Sequence, residues 1–341
     1  MRKAQIFFFV FVLGSLQLVA QNCDWQAAQK LYEKHNYSLA QSYFSSMSSC
    51  ADLTENQKEE ACFLSAICAM ELFNTDAIYQ LEKYLSLYPT GLFVNQTIFR
   101  LGNIHFREKN YATATAKYNQ VNVGLLKKKE HVMLHFRLGY SNFVESDFDA
   151  AKMAFQELKG VQFKFKDLTK YYVAHIAYLE GNYATAYRGF DELLEVPGIG
   201  SIVRYYIAQI YYFQGRYDEL VSFAQPLLDS VNTKRSPEIA RLIGDSYYRT
   251  NHFEKSIVYL ERHQSATTLP LNRLDKYQLA YAYYQVHNFE KAQNLFQEVL
   301  QDSDSLAQYA AYHLADCYLQ NNQKAYALNA YKHASSFLFD A

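Results

Sequence analysis

The chain has 341 residues, 50% of them hydrophobic and 20% charged, enough for a large packed core. Its 12 glycines and 5 prolines leave few breakers, which excludes extended disorder and a fold built on many tight β-turns. A formal net charge of −1 excludes a basic surface for nucleic acid, and loss of Arg2 and Lys3 would only lower it.

Arg2 and Lys3 begin the chain, residues 6–18 are mostly apolar, and Leu18-Val19-Ala20 places a small residue before Gln21. That order predicts a secretory signal peptide over residues 1–20. The apolar run is short for the roughly 30 Å of a bilayer core. Asn22 precedes Cys23 where lipid-anchored bacterial precursors carry a small residue. The expectation is an exported, periplasmic or otherwise extracytoplasmic protein with no transmembrane segment in the mature chain. In an oxidising compartment some of the five cysteines can pair. Cys23 starts the first expected helix and Cys50 follows its antiparallel partner, so Cys23–Cys50 is the candidate disulfide, although sequence cannot fix connectivity. Cys68 and Cys317 fall within later helices as buried thiols, and no pair has the spacing of a zinc site.

From residue 24 onward a skeleton recurs. Leu101-Gly102, then Tyr111, Ala114 and Tyr118, returns as Leu138-Gly139, Phe148, Ala151 and Phe155, and again as Leu279-Ala280, Phe289, Ala292 and Phe296. Nine copies are placed by the small residues Ala28, Ser65, Gly102, Gly139, Ala174, Ala208, Gly244, Ala280 and Ala315, at a period of 34 to 37. Each copy reads as two amphipathic helices. A small residue lets the backbones approach, and an aromatic such as Tyr37, Tyr111, Phe148, Tyr183, Tyr217, Phe253 or Phe289 opens the second helix. One such hairpin cannot bury its apolar faces alone, so neighbours must stack. The pattern departs at Asn74 and Lys324, where an aromatic is usual, and at Leu220, which replaces a small residue.

This period, with small and aromatic residues at these offsets, resembles the tetratricopeptide repeat over about residues 24–335. The resemblance implies an all-α, right-handed superhelical solenoid of about nine hairpins over residues 21–335. Residues 336–341 would be a tail, the start of a truncated further repeat. The repeat style, as in Tyr84-Leu85-Ser86-Leu87-Tyr88-Pro89, is similar to that of bacterial envelope repeat proteins.

With the first small residue numbered 8, the resemblance implies that positions 5, 9, 12 and 13 face a concave groove. Positions 5 and 12 lie two turns apart and share a face. Position 5 carries Phe99, Phe136, Tyr171, Tyr205, Arg241 and Tyr277, and position 12 carries Phe106, Phe143, Tyr178, Tyr212, Tyr248 and Tyr284. Tyr140 joins them from position 9. These thirteen are the candidate partner-binding residues, a ladder of rings suited to an extended peptide. The alternative is that the rings pack on one another and set the curvature. The two-carboxylate clamp of cytosolic relatives is not supported, because Asn103 and Arg107 match a fragment of it while Phe99 stands where a lysine is needed. Asp245 is placed to pair with Arg241 and Arg249, each four residues away.

No catalytic motif is present, and His131 and His135 at i, i+4 lack the glutamate of a metalloprotease helix, so no metal or cofactor is expected. The function expected is a non-catalytic interaction scaffold of the cell envelope that holds a protein or peptide partner. Alternatives are a glycan-binding protein, or the scaffold part of a larger envelope enzyme or assembly machine. The apolar end Phe337-Leu338-Phe339 lacks a polar cap, which suggests self-association through the last repeat.

Overall fold

The computed structural model describes residues 23–230, 235–267 and 270–337, so the expected signal peptide over residues 1–20 lies outside the described residues. The chain divides at Gly160 into two units. The first holds α1 (Trp25–Glu33), α2 (Tyr37–Ser46), α3 (Glu55–Glu71), α4 (Ala77–Leu87), α5 (Val94–Arg107), α6 (Tyr111–Tyr118), α7 (Lys128–Val144) and α8 (Phe148–Gln156). The second holds α9 (Lys166–Leu179), α10 (Tyr183–Asp191), α11 (Gly200–Phe213), α12 (Tyr217–Ala224), a single turn α13 (Leu227–Ser230), α14 (Ser236–Arg249), α15 (Phe253–Ala266), α16 (Arg273–Gln285), α17 (Phe289–Val299), α18 (Ser305–Gln320) and α19 (Lys324–Ser336). No strand occurs among the described residues. The helices form nine hairpins, four in the first unit and five in the second, with α13 outside the pattern. Ser336, expected to open the tail, is the last residue of α19.

Each hairpin turns by the same device. Seven residues after the small residue the backbone enters the left-handed region, at His35, Lys109, Ser146, Asn251, His287 and Asn322 and at the glycines Gly181 and Gly215. The amides that follow close on the carbonyls of the last helical turn, as when Asn110 donates to His105 and Lys109 to Phe106. The next residue caps the second helix. Asn110, Asp147, Asn182 and Asn288 each accept there from the amide three residues on. In the second hairpin the left-handed residue comes one place later, at Phe73, and α4 starts only at Ala77. That is the physical content of the irregularity at Asn74. In the sixth hairpin Pro226 follows α12, which ends at Ala224, and the extra turn α13 comes next.

The crossing points are as close as the small residues imply. A β-carbon on Gly102 would stand 2.6 Å from the Tyr118 ring, and one on Gly244 would stand 2.8 Å from the Leu260 side chain. Cys68 and Cys317 are buried, and burial pushes both thiols up to about 12. Cys23 and Cys50 are joined in a disulfide, with Cα atoms 5.9 Å apart, and it ties the entry of α1 to the exit of α2.

Candidate functional site

The ring ladder is a structural seam. Every aromatic at position 12 lies against the ring that opens its own second helix. Centroids are 5.7 Å apart for Phe106 and Tyr111, 6.1 Å for Phe143 and Phe148, and 5.9 Å for Tyr178 and Tyr183. The same spacing holds for Tyr212 and Tyr217 at 6.0 Å, Tyr248 and Phe253 at 6.1 Å, and Tyr284 and Phe289 at 5.9 Å. Within each unit, the rings of Phe106, Tyr178, Tyr212, Tyr248 and Tyr284 also reach position 9 of the following repeat. Where that residue is polar the phenol donates to it, from Tyr178 to Gln209 at 2.9 Å, from Tyr284 to Asp316 at 3.1 Å, and from Tyr212 to Asp245. Where it is aromatic the rings stack edge-on, as for Phe106 with Tyr140 at 5.6 Å and Tyr248 with Tyr281 at 5.9 Å. Burial raises the phenols of Tyr178, Tyr212, Tyr248 and Tyr284 to about 12, so all four stay protonated donors at neutral pH.

The position 5 residues are deeper. Phe99 and Phe136 are 2% and 6% exposed and present little of their rings to solvent. Tyr171 lies against His175, Phe190 and Tyr206. Tyr277 lies against Phe296 and Tyr281. Tyr205 carries the Arg235 guanidinium over its ring at 4.6 Å and accepts from Gln209. Arg241 pairs with Asp275 of the next repeat at 4.0 Å, while Asp245 takes Arg249 at 3.1 Å. Of the expected row on Asp245, the Arg249 pair forms within α14, while Arg241 turns instead to Asp275 of the next repeat. Asp245 is 1% exposed and also accepts from Gln278 at 2.6 Å, so it serves as a buried junction rather than an open ligand.

An open site does exist in the first unit. A pocket of about 530 Å³ is lined by residues of α3, α5 and α7, among them Arg100, Arg107, Lys129 and Arg137, with Glu71 and Glu130 as the acids. Arg100 pairs with Glu130 at 2.9 Å, yet its Nε is buried without an acceptor among the described residues. Arg137 donates to Asn103 and lies 5.7 Å from the Phe106 ring centre, and the exposed Arg107 lies over Phe73 at 4.5 Å. The excess of cations over acids, the aromatic wall and the spare donor together suit a carboxylate carried on an apolar chain. Of the lining residues the sequence marked Phe99 and Phe106 as candidates, and it noted Asn103 and Arg107 only as a fragment of an unsupported clamp. Arg137 went unmarked because it occupies position 6, and Tyr206 and His313 entered the ring seam from that same position. A second pocket, of about 610 Å³, lies between α18 and α19 and is lined by Tyr309, Tyr312, His313 and Tyr331 among others.

His131 and His135 gain a neighbour that the sequence left out of account. Glu157, at the end of α8, brings a carboxylate to the two imidazoles. Burial and the neighbouring His131 hold His135 below the usual imidazole range. No helix among the described residues is long and apolar enough to cross a membrane.

Residues 277–335, which span α17, α18, the greater part of α16 and nearly all of α19, match the family model for the tetratricopeptide repeat. No curated protein matches the chain. Among solved structures, the chain is similar to the C-terminal part of a tetratricopeptide-repeat protein from Cytophaga hutchinsonii. The identity is 15% over 70% of this chain and 95% of that one, with a TM-score of 0.56. A tetratricopeptide repeat protein from Parabacteroides merdae aligns at 12% identity over 75% of this chain and 96% of that one, TM-score 0.41. A structure of MamA aligns at 15% over 48% of this chain and 93% of that one, TM-score 0.40. At these identities the likeness is one of fold. The chain is an all-helical array of tetratricopeptide-type hairpins.

Proposed function

We propose that this array of tetratricopeptide-type repeats is a non-catalytic scaffold that holds a protein partner as an extended segment, with a carboxylate of that segment in the pocket of the first unit. The fold supports a protein partner in general. The observation that carries the finer reading is the lining of that pocket, where Arg107, Arg137 and Lys129 have no carboxylate within 4.0 Å among the described residues and Phe106 supplies an apolar wall. The thirteen ring-ladder candidates contribute mainly as rigid backing, and two of them, Phe99 and Phe106, also line the pocket. A sugar-stacking role draws less support, since the rings already spend their faces and edges on one another. Work outside the cytoplasm is supported by the basic and apolar start of the chain and by the Cys23–Cys50 disulfide, which suits an oxidising compartment.

The reading is tested by selecting binders from a library of random displayed peptides on the folded chain. Enrichment of peptides with a carboxylate next to an apolar residue, lost against an Arg107→Ala, Arg137→Ala double variant, is the expected result. Enrichment that ignores the double variant would move the site elsewhere.

A further inference from the structure

The fourth hairpin brings together three groups that play no part in the pocket. His131 and His135 are one turn apart on α7, so their imidazoles share a face, and the ring centres are 4.7 Å apart. Glu157 caps the end of α8. The return of α8 along α7 sets its carboxylate beside them. One nitrogen from each ring and one carboxylate oxygen all lie within 4.8 Å of one another. The Nδ1 of His135 is buried with no hydrogen-bond partner among the described residues, an uncompensated position for a polar atom unless something else occupies it.

We propose that His131, His135 and Glu157 bind a divalent transition cation of the zinc class, through two imidazole nitrogens and one carboxylate oxygen, with water as the fourth ligand. Two nitrogens and one oxygen form a borderline donor set that suits Zn²⁺ and its neighbours, whereas Ca²⁺ and Mg²⁺ require oxygen ligands throughout. Bonds of about 2.0–2.1 Å put tetrahedral ligands about 3.3 Å apart, so the three atoms must close from their present spacing. The exposed Glu157 and the half-buried His131 can do so by side-chain rotation. The helices themselves need not move, because the crossing of α7 and α8 is fixed by Gly139 packed under Phe155. The bound cation would tie the end of α8 to the first half of α7 and make the stability of this hairpin depend on metal.

The test uses the full, tag-free chain after chelator treatment. It is titrated with Zn²⁺ alone by calorimetry and with Co²⁺ as a spectroscopic probe of four-coordination. The expected result is one cation per chain, a Co²⁺ spectrum of tetrahedral intensity, and a thermal midpoint that rises with Zn²⁺. Glu157→Gln and His131→Gln should each weaken binding by at least about tenfold. Glu157 is exposed, so its variant keeps the fold and isolates the ligand effect. The absence of stoichiometric binding, or binding that both variants retain unchanged, would overturn the assignment.

Discussion

Gly139 of α7 lies so close beneath Phe155 of α8 that a β-carbon there would stand 2.5 Å from the ring carbon Cε1. The relation recurs along the chain, with Gly102 under Tyr118 and Gly244 under Leu260. It is what allows each pair of helices to cross at short range. Gly139→Ala should therefore destabilise the protein. Overpacking a dense core costs about 1–3 kcal/mol, against a helix-propensity gain of about 1 kcal/mol from replacing glycine. Urea unfolding of the variant should show a lower midpoint, and adding Phe155→Leu should recover part of the loss.

Asp245 anchors the junction of the sixth, seventh and eighth hairpins by accepting from Tyr212, Arg249 and Gln278. Asp245→Ala takes the acceptor from three donors, of which Gln278 is buried, and a buried group left without its partner costs about 1–3 kcal/mol. Tyr212→Phe removes one donor and leaves two, so it should cost less. Thermal unfolding of both variants checks the order, and an equal loss in the two would contradict this account of the junction.

The repeat itself was fully legible, since the small residues at the crossings and the rings that open second helices stand at fixed offsets in the sequence. The turns were only half legible. Gly181 and Gly215 announce a left-handed residue, but His35, Lys109 and His287 adopt the same backbone, because the following amides close the helix whatever the side chain. The site was less legible still. A half-buried tyrosine in a groove and one locked between two repeats have the same sequence signature. Only the residue it meets one repeat later, Gln209 for Tyr178 or Asp316 for Tyr284, separates the two cases. Arg137 and Glu157 reach their neighbours across helix pairs, a contact that no periodicity within one helix can display.

Burial holds His313 below the ordinary imidazole range, with its ring packed among Tyr281, Tyr284 and Phe296. Its folded pKa lies below its unfolded one, so between the two the unfolded chain binds more protons. Stability contributed by the neutral ring is therefore present above the unfolded value of about 6.5 and is lost as pH falls through it. His135 and His175 shift in the same direction. Unfolding free energy should decline from pH 7 to pH 5, and His313→Phe should make that decline shallower. An unchanged slope would assign the acid sensitivity to other groups.

The three free thiols should differ in reactivity. Cys68 and Cys317 are fully buried and raised to about 12, whereas Cys62 is half-buried. Alkylation of the native protein at pH 8 should modify Cys62 first and leave the other two until the chain is unfolded. Modification of Cys317 at the same rate as Cys62 would mean that α18 opens readily.

The most direct measurement is the affinity of one selected peptide carrying a carboxylate beside an apolar residue, followed by fluorescence anisotropy. The reference is the intact chain, compared with Arg107→Ala, Arg137→Ala and with a Tyr284→Phe control in the second unit. Binding should be at least about tenfold weaker in the arginine variant, a difference of about 1.4 kcal/mol, and salt should weaken the intact complex. The control should bind as the intact chain does. Equal affinity in the arginine variant, with the fold unchanged by circular dichroism, would contradict the assignment of the partner to this pocket.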